Sequence, residues 1–203
     1  MTHRFNPQHM DRLINPERRK VLDPAKVLAY LNLGGSQVLA DVGSGPGFFA
    51  LEAARLLGPG GKVLAIDVAQ EMLDACQRRA AEAGIKNVET VLAEAEDEFP
   101  IHSGTCDAAL MVNVYHEVDP ASGTINEVRR MLKPGGLLLI VDWITQETPM
   151  GPPPSERVDP QDVTEELTAA GFVLQGTCEV GPYNYGLKFY APGGITDMEN
   201  PVR

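Results

Sequence analysis

Between residues 38 and 49 the chain reads Val-Leu-Ala-Asp41-Val-Gly43-Ser44-Gly45-Pro-Gly47-Phe-Phe. An apolar run followed by glycines at alternate positions predicts a strand, a tight turn and a helix start. Glycine tolerates positive φ and lets a ligand approach the backbone, while the first turn of the helix leaves unpaired N–H groups. A nucleotide-like ligand suits such a turn. Twenty-four residues beyond Gly43 the next apolar run ends at Asp67. A carboxylate at that strand tip can accept hydrogen bonds from both hydroxyls of a ribose lying over the glycine turn. A nicotinamide dinucleotide would satisfy this much as well. Two features point away from it: the turn reads GxGxG rather than GxGxxG, and Asp41 stands just ahead of it. A carboxylate there opposes a pyrophosphate and suits an ammonium group or a water network beside the ligand.

A second set of reactive types gathers further on, in Asn113-Val-Tyr115-His116-Glu117. Histidine is the side chain best able to take a proton near neutral pH, so His116 is the candidate base or substrate-orienting residue. Strand alternation would send Tyr115 to the opposite face, leaving one of the two in the pocket and the other in packing. Asp142-Trp143 closes the following apolar run and could receive a cationic or hydroxylated molecule. Arg157, behind the stiff Pro149-Met-Gly-Pro-Pro-Pro154 segment, offers a planar fork to an anion. Near the start, Phe5 and His9 stand in a polar stretch that reads either as a lid over the site or as a frayed tail. Tyr183 and Tyr185 lie in a Gly-Pro-Tyr-Asn-Tyr turn, where they would line the outer pocket or form a surface patch for a homodimer.

The elements that must hold these residues follow from periodicity. Strand-like runs at 38–42, 62–67, 88–92, 107–113 and 137–142 alternate with helical patterns at 48–57, 70–83, 121–132 and 159–170. Continuous apolar strands separated by amphipathic helices predict a parallel sheet covered on both faces. Two further strands, 172–180 and 186–191, are separated by too few residues for a helical crossover and must be antiparallel. An α/β fold results: seven strands, mostly parallel, with a reversed C-terminal edge hairpin. Such sheets bind ligands at the carboxyl ends of their strands, where Asp67, His116 and Asp142 fall. Asp23-Pro24 opens a further helix over 24–33, closed by Gly34-Gly35. We therefore divide the chain into a cap or lid (1–36), a ligand-binding domain (37–192) and a tail (193–203).

Composition narrows the partners. With 203 residues, 43% hydrophobic, 22% charged and a net charge of −11, the chain reads as one folded domain that repels polyanions. Nucleic acid and anionic membrane are not expected partners. The longest apolar runs, 137–141 and 108–112, are five residues each, too short to span a bilayer, and no secretory leader is legible. The expectation is a cytoplasmic protein. Cys76, Cys106 and Cys178 are far apart and form no Cys/His cluster with zinc spacing, so no metal site and no convergent thiolate site is expected.

Taken together, these motifs resemble those of class I S-adenosylmethionine-dependent methyltransferases, over roughly residues 38–191. Asp41 to Gly47 is similar to the family's first motif, Asp67-Val68-Ala-Gln-Glu-Met72 to its ribose segment, and 87–97 to the third-strand motif. Residues 106–116 and 130–136 are similar to the fourth strand and to the turn before the fifth. The small-molecule branch that includes quinone-biosynthesis and arsenite methyltransferases is the most similar. The resemblance implies a Rossmann-like fold with S-adenosylmethionine as cofactor and S-adenosylhomocysteine as product. It places the methionine part at Asp41, Gly43, Ser44, Gly45 and Gly47, the ribose at Asp67 with Val68 and Met72 beside it, and the adenine at Glu94, Ala95 and Glu96. The methionine ammonium falls at the Asn113 backbone. Where the family often has Asp, this chain has Glu94. His116 and Asp142 are then the candidate catalytic residues, and Phe5, His9, Tyr115, Arg157 and Tyr183 the candidates for holding a small soluble acceptor. A nicotinamide-dependent oxidoreductase and a non-catalytic cofactor-binding module are the alternatives.

Overall fold

The computed structural model describes residues 10–93, 98–119 and 123–193, with residues 11 and 12 described by backbone alone. One seven-stranded sheet organises them, in the order β3-β2-β1-β4-β5-β7-β6. The strands are β1 (Val38–Val42), β2 (Lys62–Asp67), β3 (Val88–Leu92), β4 (Cys106–Val112), β5 (Leu132–Trp143), β6 (Val173–Cys178) and β7 (Asn184–Tyr190). The pairs β1–β2, β1–β4, β2–β3 and β4–β5 are parallel, and β7 runs antiparallel to both β5 and β6. The hairpin is thus inserted with its second strand against the sheet. Only β7 is reversed, and β6 regains the common direction at the edge.

Helices cover both faces because the central strands are apolar on both sides. Leu39, Ala65, Leu139 and Val141 face α3 (Pro24–Ala29), α4 (Ala50–Leu57) and α5 (Gln70–Glu82) in one core cluster. Ala40, Val42, Leu138 and Ile140 face α6 (Thr124–Met131) and α7 (Pro160–Ala169) in the other. Both clusters draw alternate residues from the same strands, as the two-residue period of a strand requires.

The N-terminal part departs from the sequence expectation. Two short helices, α1 (Met10–Leu13) and α2 (Pro16–Val21), occupy the stretch read as polar and irregular. Asn15 accepts from the Glu17 N–H and Pro16 supplies a preset φ, the device that Asp23-Pro24 and Asp159-Pro160 repeat at α3 and α7. The helix expected over 24–33 stops at Ala29, where the following N–H groups switch to three-residue spacing and Asn32 takes a positive φ of 48°. Leu22, Val27, Leu28 and Leu31 are buried in the first core cluster, so packing continues across the boundary drawn at residue 36. β5 is counted from Leu132 because Leu132 pairs with Cys106 before a register shift that sets Leu137 against Ala108. Among the described residues no helix is long and apolar enough to cross a membrane.

Candidate active site

At the carboxyl end of β1 the chain turns through Gly43, Gly45 and Gly47, with φ of 70°, 52° and 80°. The N–H groups of Gly43 and Ser44 both donate to Ile66 O, at 2.8 and 2.9 Å, which ties the turn to β2. A Cβ on Gly43 would run into Val114, and one on Gly47 would come within 2.6 Å of Cys76 Sγ. The turn is therefore both left-handed and closely packed, and glycine is required there for two reasons.

Two carboxylates brace it. Asp67 accepts from the Gly45 N–H at 2.8 Å and the Ala69 N–H at 3.0 Å. Burial raises its pKa against the pull of these backbone donors. Asp41 is almost wholly buried, and the Ala50 N–H at the start of α4 only partly offsets the effect of that burial on its pKa. Among the described residues its Oδ2 has no partner, nor has the buried Oγ of Ser44. Burial, reinforced by the negative charge of Asp67, pushes the Asp41 carboxyl up to about 7. A turn that leaves an acceptor and a hydroxyl without protein partners is built to meet a polar ligand. Beyond it Val68 and Leu92 stand exposed at the ends of the neighbouring strands β2 and β3, where Asp67 and Leu92 are paired in register. Met72 is buried behind them. Glu94, Ala95 and Glu96 lie outside the described residues, as do Phe5 and His9.

The second centre sits at the ends of β4 and β5. Asn113 breaks β4 with a φ of 55°, which asparagine tolerates better than most residues. Its N–H donates to Val141 O and its Oδ1 accepts from Asn184 Nδ2 at 2.7 Å. A short 3₁₀ turn over Tyr115–Glu117 follows in place of the expected continued strand. It delivers His116 onto Asp142: Nδ1 lies 2.8 Å from Oδ1, and the His116 N–H donates to Oδ2 at 3.1 Å. The Trp143 N–H also donates to Asp142 Oδ1, at 2.7 Å. An ionised carboxylate only accepts, so Nδ1 carries the proton and Nε2 the lone pair. Burial disfavours the imidazolium, but the hydrogen bond and charge of Asp142, with Glu117 and Glu156 nearby, outweigh it and raise the His116 pKa.

Three sequence assignments change here. Asp142 accepts from the His116 ring and from two backbone N–H groups, so its geometry is that of a residue positioning His116. Tyr115 is a core residue: it is buried in the cluster with α6 and α7, its hydroxyl directed toward Glu166 but outside hydrogen-bonding geometry. Arg157 is fully committed to its own loop. It donates to the carbonyls of Ile144, Gln146, Met150 and Pro152 and to Thr148 Oγ1, and its guanidinium lies 5.7 Å from the Trp143 ring. No donor remains for an anionic acceptor. Tyr183 is half-buried, and its carbonyl accepts from the Ile144 N–H.

Comparison with known proteins decides between the cofactors. A methyltransferase-domain family model matches residues 39–136. A SAM-dependent methyltransferase of Aquifex aeolicus superposes with a TM-score of 0.87 and 34% identity, over 93% of this chain and all of that one. The chain belongs to the class I S-adenosylmethionine-dependent methyltransferases. S-adenosylmethionine is its cofactor, and the nicotinamide alternative is set aside. An uncharacterized methyltransferase of Mycobacterium tuberculosis is 33% identical over 135 residues, covering 66% of this chain and 51% of the relative. A ubiquinone/menaquinone biosynthesis C-methyltransferase of Pseudomonas putida is 34% identical over 110 residues, 54% and 42% of the two chains. The chain thus spans about half the length of the curated relatives it matches.

Asp41 Oδ2 and Ser44 Oγ, without partners among the described residues, stand at the glycine turn, and an acceptor and a hydroxyl there fit the polar groups of that cofactor. One side chain beside the turn escaped the sequence reading. Arg18, on α2, rests its guanidinium 4.7 Å from the Phe48 ring centre, while Leu13 reaches within 3.4 Å of the position a Gly45 Cβ would take. The Asn15-Pro16 cap would have signalled the helix, but nothing in the local pattern signals where its arginine reaches.

Proposed function

We propose that this methyltransferase moves the methyl group of S-adenosylmethionine to a small soluble acceptor whose nucleophile gives up its proton to His116. S-adenosylmethionine, when bound, supplies an electrophilic carbon and a neutral thioether leaving group. The protein's share is to orient, to exclude water and to hold a proton. The observation that carries this reading is the His116–Asp142 pair. An imidazole oriented through Nδ1 and made more basic by a buried carboxylate presents Nε2 as a proton acceptor at the strand ends.

The remaining assignments extend the sequence reading. Asp67 receives the ribose hydroxyls on the lone pairs not spent on Gly45 and Ala69, and Asp41 receives the cofactor ammonium together with the Asn113 backbone. Val68, Met72 and Leu92 frame the adenine, with Glu94, Ala95 and Glu96 completing its edge. Residues 1–36, with Phe5 and His9, act as a cap over the acceptor, 37–192 as the catalytic body and 193–203 as a tail. Tyr183 borders the outer pocket. The three cysteines do not support a thiolate-bound acceptor: all are buried, and burial pushes the Cys76 and Cys106 thiols up to about 12. The acidic surface favours a small acceptor over nucleic acid.

Transfer of a tritiated methyl group to a panel of phenols, enols, amines and thiols tests the reading. His116→Ala should lower turnover of the acceptor found by about 10²–10⁴-fold, the usual worth of a general base, with S-adenosylhomocysteine affinity unchanged. Full turnover in that variant would remove His116 from the chemistry.

A further inference from the structure

The glycine turn is flanked by a cation that the assignments above do not use. Arg18 has five N–H donors, yet among the described residues it donates one hydrogen bond, to Leu13 O at 2.9 Å. Its guanidinium lies against the Phe48 and Phe49 rings, at 4.7 and 5.9 Å from their centres. Aromatic faces favour a cation there, but they accept no directed hydrogen bonds of the strength a carboxylate would. Burial lowers the Arg18 pKa to about 10, against the attraction of Asp41, as expected for a cation short of compensation.

The complementary defect lies on Asp41, whose Oδ2 is buried without a partner. The two groups attract, but the one hydrogen bond Arg18 donates goes to Leu13 O and leaves Asp41 Oδ2 without a partner. Each flanks the same turn, Arg18 through the rings that follow Gly47 and Asp41 through the residues that precede Gly43. A half-satisfied cation and a half-satisfied anion held apart beside one turn match a zwitterion. The α-amino acid end of S-adenosylmethionine is such a group. Its carboxylate enters a site already lined by Asp41 and Asp67, in a chain of net charge −11, and needs a cation to offset them. Arg79, the other arginine at the turn, is bound to Pro46 O and approaches from α5.

We infer that Arg18 binds the α-carboxylate of the cofactor, so that α2, within the cap, also forms one wall of the cofactor site. The inference rests on the reading that Asp41 faces the cofactor ammonium. Calorimetric titration with three ligands tests it: S-adenosylmethionine, its decarboxylated analogue, which keeps the ammonium, and 5′-methylthioadenosine, which keeps neither group. The wild type should bind S-adenosylmethionine about 10–100-fold more tightly than the decarboxylated analogue, the range for charge-assisted hydrogen bonds. Arg18→Met, which keeps apolar bulk on the rings, should lose that preference while binding the decarboxylated analogue as the wild type does. Arg18→Lys, keeping charge without the fork, should fall between them.

Equal losses for both ligands in Arg18→Met would make Arg18 a packing residue of α2 and overturn the inference. No preference in the wild type would overturn it without any variant, so the test survives a variant that does not fold. If the wild type binds methylthioadenosine but does not favour the ammonium-bearing analogue over it, the Asp41 reading fails, and the inference with it.

Discussion

Two carboxylates of this methyltransferase do opposite things to their surroundings, and each difference is measurable. Asp142 raises the His116 pKa, so with His116 as the base the rate should climb with pH through a value above the ordinary ~6.5 for histidine and then level off. Asp142→Asn removes the charge that sustains the raised value. It should move the climb to lower pH and lower the plateau by about 10–100-fold, the worth of a charged hydrogen bond felt at the transition state. An unchanged profile would mean that Asp142 does not act through the imidazole. Asp41, in contrast, holds its proton to higher pH through burial, with a pKa of about 7 in the fold against an ordinary 3.8, and carries its charge above that. Because the folded state binds the proton more tightly, this group's contribution to stability is present below about pH 4 and is lost as pH rises to about 7. Asp41→Asn should therefore be more stable than the wild type at pH 8 by an amount on the order of a few kcal/mol, at ~1.4 kcal/mol for each tenfold difference in proton affinity between the folded and unfolded chain, and lose that advantage toward pH 4. Urea unfolding at the two pH values reads the difference, and a constant gap would refute the assignment. The same variant should bind S-adenosylhomocysteine more weakly, since the charge it removes is the one assigned to the ammonium. Asp41, the glycines and Asp67 were legible because their spacing is local. Arg18 was not, because its place depends on how α2 folds back over a turn some twenty-five residues further along the chain.

Among the elements, the loop between β5 and α7 is the one whose sequence misleads. Its prolines and Arg157 read as a rigid arm offering a cation, yet the guanidinium is turned inward onto the carbonyls of residues 144–152. The prolines supply no N–H donors, and the loop makes few ladder bonds of its own, so its carbonyls are satisfied by one side chain with five donors. Gly151 packs so closely on Trp143 that a Cβ would meet the ring at 2.8 Å, and the Arg157 guanidinium lies 5.7 Å from the same ring. Arg157→Lys should not rescue the loop, since a point charge cannot reproduce the fork. Both Arg157→Lys and Arg157→Ala should lower stability by about 1–3 kcal/mol, the worth of the lost charge-assisted hydrogen bonds to half-buried and exposed loop carbonyls, and raise the acceptor KM more than they change S-adenosylhomocysteine affinity. Denaturant unfolding and calorimetry separate the two effects; weakened cofactor binding would instead place the arginine at the cofactor. Strand and helix types along 38–191 were readable from periodicity, whereas α1 and α2 were missed because helices of four and six residues are too short to show a 3.6-residue pattern.

Across the whole molecule, the direction of the chain through the sheet decides where chemistry can occur. Every parallel strand from β1 to β5 delivers its carboxyl end to one edge, so Asp41, Asp67, Asn113 and Asp142 converge though they are scattered over a hundred residues. The alternation of strands and helices made this convergence legible in advance. The insertion of β7 between β5 and β6 was not, because a short connection fixes the relative direction of two strands and not which of them joins the sheet. That insertion matters to the site: Asn184, at the start of β7, holds the side chain of Asn113, while Tyr185 lies opposite Asp142 in register. A structure of the protein with S-adenosylmethionine bound tests this convergence most directly. The ribose hydroxyls should lie on Asp67 and the ammonium at Asp41, with the sulfonium methyl directed toward the strand ends that carry His116. A methyl directed away from His116, or a ribose that does not touch Asp67, would contradict it.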